Sequence, residues 1–353
     1  MEISQIGEFG LIDRITQPLK PTNASTLVGV GDDCAVLGFD GSTRQLVTTD
    51  LLMEGIHFDL VYTPLRHLGY KAVMVNLSDV YAMNGTPRQI TVSLGIDQRL
   101  QVEDIEELYA GMRLACERHG VDIVGGDTCA SMTGLCISIT CIGEALDADI
   151  VRRSGAKPTN LICCSGNLGA AYLGLQLLER EKAIYFQQIK ERKITPDSPF
   201  QPEFSGREYL LERILKPEAR RDVIMRLREA QLLPTSMMDI SDGLSSELLH
   251  ICKASGVGCR LYEERIPLDF QTAAAAEELN LNVSTCALNG GEDYELLFTL
   301  PLSCHEKALQ LDDIKIIGHI TEASEGTVMV ARGGSEISLK AQGWALEKAP
   351  GAM

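Results

Sequence analysis

AVMVNLSDVYAM, residues 72–83, is an apolar run that carries a single carboxylate, Asp79. It lies in a stretch, 66–84, whose spacing predicts a helix with Val75, Asp79 and Met83 along one stripe and Asn76 one turn before Asp79. A carboxylate in such surroundings needs a partner or a metal ion. A functional role and a buried cap or ion pair both meet that need.

Outward from this helix the chain alternates. Residues 27–37 (LVGVGDDCAVL) and 44–49 read as strands, 89–96 (QITVSLGI) alternates as a strand, 102–119 is an amphipathic helix and 135–143 returns as a strand. This is an α+β unit ending near residue 147. The Gly- and Pro-bearing turn SGAKPTN (154–160) opens a second unit. There the pattern predicts a strand at 161–164, a Gly-opened helix to about 180, helices at 218–231, 243–254 and 271–279, and strands at 257–261, 294–299, 313–320 and 326–331. Residues 181–208 are polar, Pro-bearing and poorly periodic, which predicts an extended or partly helical insertion. The expected fold class is α/β (α+β) in two domains, 1–147 and 148–353.

Carboxylates recur in turns beside apolar runs: GDD at 31–33, TTD at 48–50, NLSD at 76–79, GGD at 125–127, MDISDG at 238–243 and GGEDYE at 290–295, with Asp59 a weaker seventh. Mg2+ takes oxygen ligands and prefers one or two carboxylates plus substrate phosphates, so several metal ions holding a polyphosphate is the reading that unites them. Each cluster alone has a plainer explanation. GDD suits a surface turn, Asp50 a helix N-cap, and Ser241 or Asp242 a cap for the helix that follows. Glu103, Asp104, Glu106 and Glu107 read as one solvated helix face. GNLG at 166–169 follows a strand but lacks the lysine of GxxxxGK[ST] and the spacing of GxGxxG, so it reads as a helix start. Phosphate charge would then fall to metals and to an Arg such as Arg153.

The formal net charge of −17 argues against nucleic acid, whose backbone must be met by Lys and Arg. No apolar run reaches the ~18 residues of a membrane span, and MEISQIGEFGLIDRI lacks the build of a signal peptide. A cytoplasmic protein is expected. Its 11 cysteines, without a CxxC pair, read as buried reduced thiols rather than a zinc site.

Taken in order, GVGDDCAVL, TTDLLMEGIHF, GYKAVMVNLSDVYAMNGTP, IVGGDT, RRSGAKP, MDISDGLSSELLHI and NGGEDYELLF resemble the thiamine-monophosphate kinases. These belong to the superfamily of aminoimidazole ribonucleotide synthetase, selenophosphate synthetase and the hydrogenase-maturation dehydratase, and the match runs from about residue 5 to about 345. The resemblance implies direct transfer of the γ-phosphoryl of ATP to thiamine monophosphate, giving thiamine diphosphate without a phosphoenzyme. It implies Mg2+ ligands at Asp32, Thr48, Thr49, Asp50, Asp79, Asp127, Asp239 and Asp242, ATP contacts at Gly126, Asp127, Arg153 and Ser241, and substrate contacts at His57, Glu292 and Trp344. No side-chain base is needed, because the acceptor phosphate is already a nucleophile; a structural role for His57, or a packing role for Trp344, is the alternative. It also implies a homodimer joined through the N-terminal sheet, with the second domain closing the cleft; the 181–208 segment departs from the pattern, being longer than in shorter relatives.

Four rival functions are weighed on the same residues. Aminoimidazole ribonucleotide synthesis uses a different substrate pocket, and HF after EGI together with GGEDYE favours the thiamine branch. Selenophosphate synthesis calls for a reactive Cys and a Lys near the N-terminus, whereas the first Cys is Cys34, after GDD. The hydrogenase-maturation type carries a C-terminal Cys, whereas this sequence ends APGAM. A non-catalytic metal or nucleotide sensor would tolerate loss of ligands, and the full set is present.

Overall fold

The computed structural model describes residues 23–38, 41–195, 198–200 and 202–341, with Gly10, Ile12, Arg14, Thr16 and Gln17. Strands β1 (Thr26–Val28), β2 (Ala35–Gly38), β3 (Thr43–Met53), β4 (Thr86–Asp97), β5 (Asp122–Ser131) and β6 (Cys136–Leu146) form one sheet in the order β1-β2-β3-β6-β4-β5. The stretch expected as one strand at 27–37 is a hairpin, β1 pairing antiparallel with β2, and GDD is its loop. β5 was legible only as the short run before GGD. It continues through both glycines, parallel to β4, with a register shift at Ile90/Thr91.

Two helices layer on this sheet, α1 (Leu65–Ala82) and α2 (Val102–His119). α1 is buried along most of its length, from Leu68 through Ser78. It stops at Met83, and Asn84 then takes φ 57, a left-handed conformation that Asn tolerates. α2 has the expected bounds, set by a Gln101/Asp104 capping box and Gly120 at φ 68. Asp104 is therefore a cap, while Glu103, Glu106 and Glu107 are exposed as expected.

The helices cross at two glycines. A Cβ on Gly69 would meet the Leu108 carbonyl oxygen at 1.9 Å, and one on Gly111 the Arg66 oxygen at 1.8 Å. Gly69→Ala must push the helices apart, so it is expected to destabilise the chain by about 1–3 kcal/mol, read as a shifted urea midpoint at unchanged m-value; an unshifted midpoint would refute the close crossing.

The second sheet holds β7 (Leu161–Ser165), β8 (Ser236–Asp239), β9 (Gly258–Tyr262), β10 (Leu296–Leu300), β11 (Ile314–Thr321), β12 (Thr327–Val330) and β13 (Glu336–Ser338), ordered β13-β12-β9-β11-β7-β10-β8. Its helices are α3 (Ala170–Lys190), α4 (Glu208–Leu215), α5 (Arg221–Glu229), α6 (Leu244–Ser255), α7 (Phe270–Glu278), α8 (Val283–Asn289) and α9 (His305–Leu309). α3 runs to Lys190, past the expected end near 180, and is tied down there by Lys182 to Asp59 at 3.0 Å and Tyr62 to Glu179 at 2.7 Å. Asp59 is thus an ion-pair partner of α3.

The period-2 alternation of the central strands joins the two halves. Leu161 and Cys163 of β7 and Leu296, Phe298 and Leu300 of β10 belong to the same apolar core as α1 and the first sheet, whereas Ile162, Cys164 and Leu297 face a second core under α6. One continuous core therefore holds the two sheets in fixed relation at the place where the carboxylate turns meet. All the cysteines are free, and all but Cys129, Cys136 and Cys304 are buried; Cys129 is exposed on β5, against expectation. Among the described residues no helix is long and apolar enough to cross a membrane.

Candidate active site

Three carboxylates from distant parts of the chain converge. Asp33 leaves the β1–β2 loop, Asp79 the last turns of α1, and Asp239 the end of β8, and each offers an oxygen within 4.8 Å of the others. Each is held from behind. Ser78 Oγ donates to Asp239 at 2.5 Å, Thr48 Oγ1 donates to Asp79 at 2.5 Å, and Arg153 Nη2 donates to Asp33 Oδ1 at 2.8 Å. The other oxygen of Asp33 is buried without a hydrogen-bond partner.

Asp50 stands next to this trio. It lies on β3 with Thr48, on the same face by strand periodicity, and its backbone N–H donates to Asn76 Oδ1 at 3.2 Å. Burial, and then the charge of Glu292, push Asp50 up to about 6. Burial and Asp33 push Asp239 up to about 7. Asp79 is held well above the usual carboxylate range by burial and by Asp50, with Asp239 and Asp33 adding to it. Asp32 rises to about 6 through burial and its neighbour Asp33. Crowded carboxylates with raised pKa values mark a place where positive charge is wanted.

The remaining sequence-derived residues divide. Asp32 is not one of the trio, and its carboxylate accepts the Arg153 backbone N–H at 3.3 Å. Thr49 is exposed on the opposite face of β3 from Thr48, its hydroxyl donating to the Ile139 carbonyl at 3.0 Å. Asp127 is exposed on β5, in register with Ser93. Gly126 is required by the sheet itself, since a Cβ there would meet the Val92 oxygen at 1.8 Å, whereas Gly125 has open space. Ser241 lends its carbonyl to the Glu292 N–H at 2.7 Å, and the Asp242 N–H donates to Glu247 at 2.9 Å. His57 sits in the turn after β3, its Nδ1 accepting the Met53 N–H at 3.0 Å. Trp344 lies outside the described residues.

Residues 31–145 match the family described as AIR synthase related protein, N-terminal domain. A thiamine-monophosphate kinase of Aquifex aeolicus is 35% identical over 89% of this chain and 92% of its own, and that of Bacillus subtilis 32% identical over 96% and 98%. The chain belongs to the thiamine-monophosphate kinase family. Its backbone follows that of AaThiL complexed with AMPPCP and TMP, with TM-score 0.77 at 33% identity over 96% of both chains. The two-domain fold expected from the motifs is that of the family.

Sequence reasoning missed three members of the site. Asp33 rather than Asp32 completes the trio, and no local signal separates two adjacent carboxylates. Glu247, buried in α6, accepts the Asp242 N–H and is itself pushed well up by burial and Asp242. Lys71, also buried, pairs with Glu292 at 2.5 Å. A lysine two turns before Asp79 on the same helical stripe was the signal available for it.

Proposed function

We propose that this protein transfers the γ-phosphoryl of ATP to thiamine monophosphate in line and directly, and that the convergence of Asp33, Asp79 and Asp239 from both halves of the chain is what makes the transfer possible. The donor set fits Mg2+: hard oxygens only, close together, one of them buried without a partner. Asp33, Asp79, Asp239 and the adjacent Asp50 would hold the ions, with Thr48, Asp32, Asp127 and Asp242 at the margin. Mg2+ bound there would neutralise phosphate charge and let two polyanions approach.

The chain's own residues do the rest. Arg153 already faces two aspartates, so it can exchange one of them for a phosphate oxygen while staying charged. Gly126, Asp127 and Ser241 complete the proposed ATP contacts, and His57, Glu292 and Trp344 those of the acceptor. An acceptor phosphate oxygen forms the new bond to the γ-phosphorus as the bond to the β-phosphate oxygen breaks and ADP leaves. No side chain needs to take a proton. We place the reaction in the cytoplasm and in a homodimer built through the first sheet, whose edge strand β5 is exposed nearly throughout and, among the described residues, unpaired on one side.

The direct assay is chromatographic detection of thiamine diphosphate from thiamine monophosphate and ATP. Product that appears only with Mg2+ is expected; none under any divalent ion would refute the reading.

The raised carboxylates add a pH signature. Asp32, Asp50 and Asp239 keep their protons to higher pH in the folded chain than in the unfolded one, so the fold binds the extra protons and loses stability as pH rises from 3.8 through about 6 to 7. The metal-free melting temperature is therefore expected to fall between about pH 4 and about pH 7, and Mg2+ to restore it at the upper end far more than at the lower. A metal-free protein that gains stability across that window would contradict the site's electrostatics.

A further inference from the structure

Lys71 is an ammonium with its side chain only 3% exposed, carried on the helix that also supplies Asp79. Burying such a charge is unfavourable unless it is paired, and its partner is Glu292 Oε2, 2.5 Å away. The pair crosses the molecule, since Lys71 belongs to the helical layer of the first sheet and Glu292 to the turn before β10 of the second. The carboxylate is the more open end, at 23% exposure, with the ammonium beneath it.

The backbone around Glu292 is already fixed. Gly291 is at φ 69, Glu292 at φ 62 and Tyr294 at φ 51, three left-handed residues within four positions. The turn keeps that shape because the Glu292 N–H donates to the Ser241 carbonyl at 2.7 Å and the Tyr294 N–H to that of Ile240 at 2.8 Å. Asp293 accepts the Gly169 N–H at 2.8 Å, and Arg213 donates to the Asp293 carbonyl at 2.9 Å. With the main chain held at both sides, the freedom left to Glu292 is that of its side chain. Lys71 ends it.

We propose that Lys71 is a positioning residue for the acceptor: from beneath the site it holds the Glu292 carboxylate in the orientation that receives thiamine monophosphate. The proposal rests on the reading that Glu292 contacts that substrate. Lys71 does not touch the transferring phosphoryl group; it acts through Glu292, so its removal changes acceptor affinity and leaves ATP affinity alone.

Steady-state kinetics on Lys71→Met, Lys71→Arg, Glu292→Gln and the Lys71→Met/Glu292→Gln pair, with melting temperatures alongside, tests this. Lys71→Met is expected to raise KM for thiamine monophosphate about 10- to 100-fold with KM for ATP within about twofold, and Lys71→Arg to recover part of the loss. Because one residue acts through the other, the double variant should be no worse than Glu292→Gln alone. If Glu292→Gln raises KM for the acceptor while both Lys71 variants leave it unchanged, the role of Lys71 is overturned and the reading of Glu292 stands. If Glu292→Gln itself leaves that KM unchanged, the reading of Glu292 fails and the role of Lys71 with it. Should Lys71→Met not fold, Lys71→Arg carries the test, since it keeps the charge but shifts the point of contact. A lower melting temperature with both KM values unchanged would assign Lys71 to packing alone and overturn the proposal.

Discussion

Asp79→Asn is expected to lose at least about a hundredfold in kcat while melting no lower than the unsubstituted protein. The two effects share one cause. Without metal, Asp79 is a carboxyl buried among Asp50, Asp239 and Asp33, and burial and repulsion hold its pKa well above normal. An amide of the same shape carries no charge to bury, and its oxygen still accepts from Thr48, so the metal-free fold loses nothing and repulsion is relieved. With substrates, the missing charge leaves the phosphates less well compensated, and charge stabilisation of phosphoryl transfer is worth several kcal/mol. A variant with near-normal turnover would remove Asp79 from the reaction. One that is inactive and also unfolded would make it a structural residue instead.

Replacing thiamine monophosphate by thiamine as acceptor is expected to lower kcat/KM by about a thousandfold or more, within the range that general-base assistance contributes. The phosphate oxygen of the monophosphate is an anion at neutral pH and attacks as it stands. The hydroxyl of thiamine has to lose a proton, and the nearest sequence-derived candidate to receive it, His57, already uses Nδ1 to accept the Met53 N–H. Thiamine also lacks the phosphate that the carboxylate-bound cations would grip. Comparable kcat/KM values for the two acceptors would show that the site recognises a hydroxyl, and the proposed chemistry would fall.

Much of this was legible from residues 72–83 outward, for identifiable reasons. α2 stands where its periodicity and caps place it, with one apolar face in the core, and α1 where its apolar run places it, buried along most of its length in a core that the flanking strands also line. β5 was not legible beyond Val124. As a nearly exposed edge strand it has no alternation to read, and its paired glycines look like a break, whereas pairing with β4 carries the strand through them. α3 outran its expected end because EREKAIYFQQIK, though polar, is rich in helix-favouring residues and is anchored by Lys182.

The site divides in the same way. Asp79 could be picked out as a carboxylate inside an apolar segment, and Asp239 from its place in the acidic turn MDISDG. The choice of Asp33 over Asp32 depends on Arg153, 120 residues further along, which takes one oxygen of Asp33 with its guanidinium while its own backbone N–H occupies Asp32. No local pattern encodes such a contact. The pairing of Lys71 with Glu292 likewise joins elements that only the shared core brings together.

The central claim is that Asp33, Asp79 and Asp239 form one cation site at the point of phosphoryl transfer. Anomalous scattering from a crystal grown with Mn2+ and a non-hydrolysable ATP analogue tests it most directly. A peak is expected at about 2.1 Å from an oxygen of each of the three carboxylates, the distance of a hard octahedral ion, with Asp50 adjacent. Density confined to Asp32 or Asp127, with none among the trio, would contradict the account.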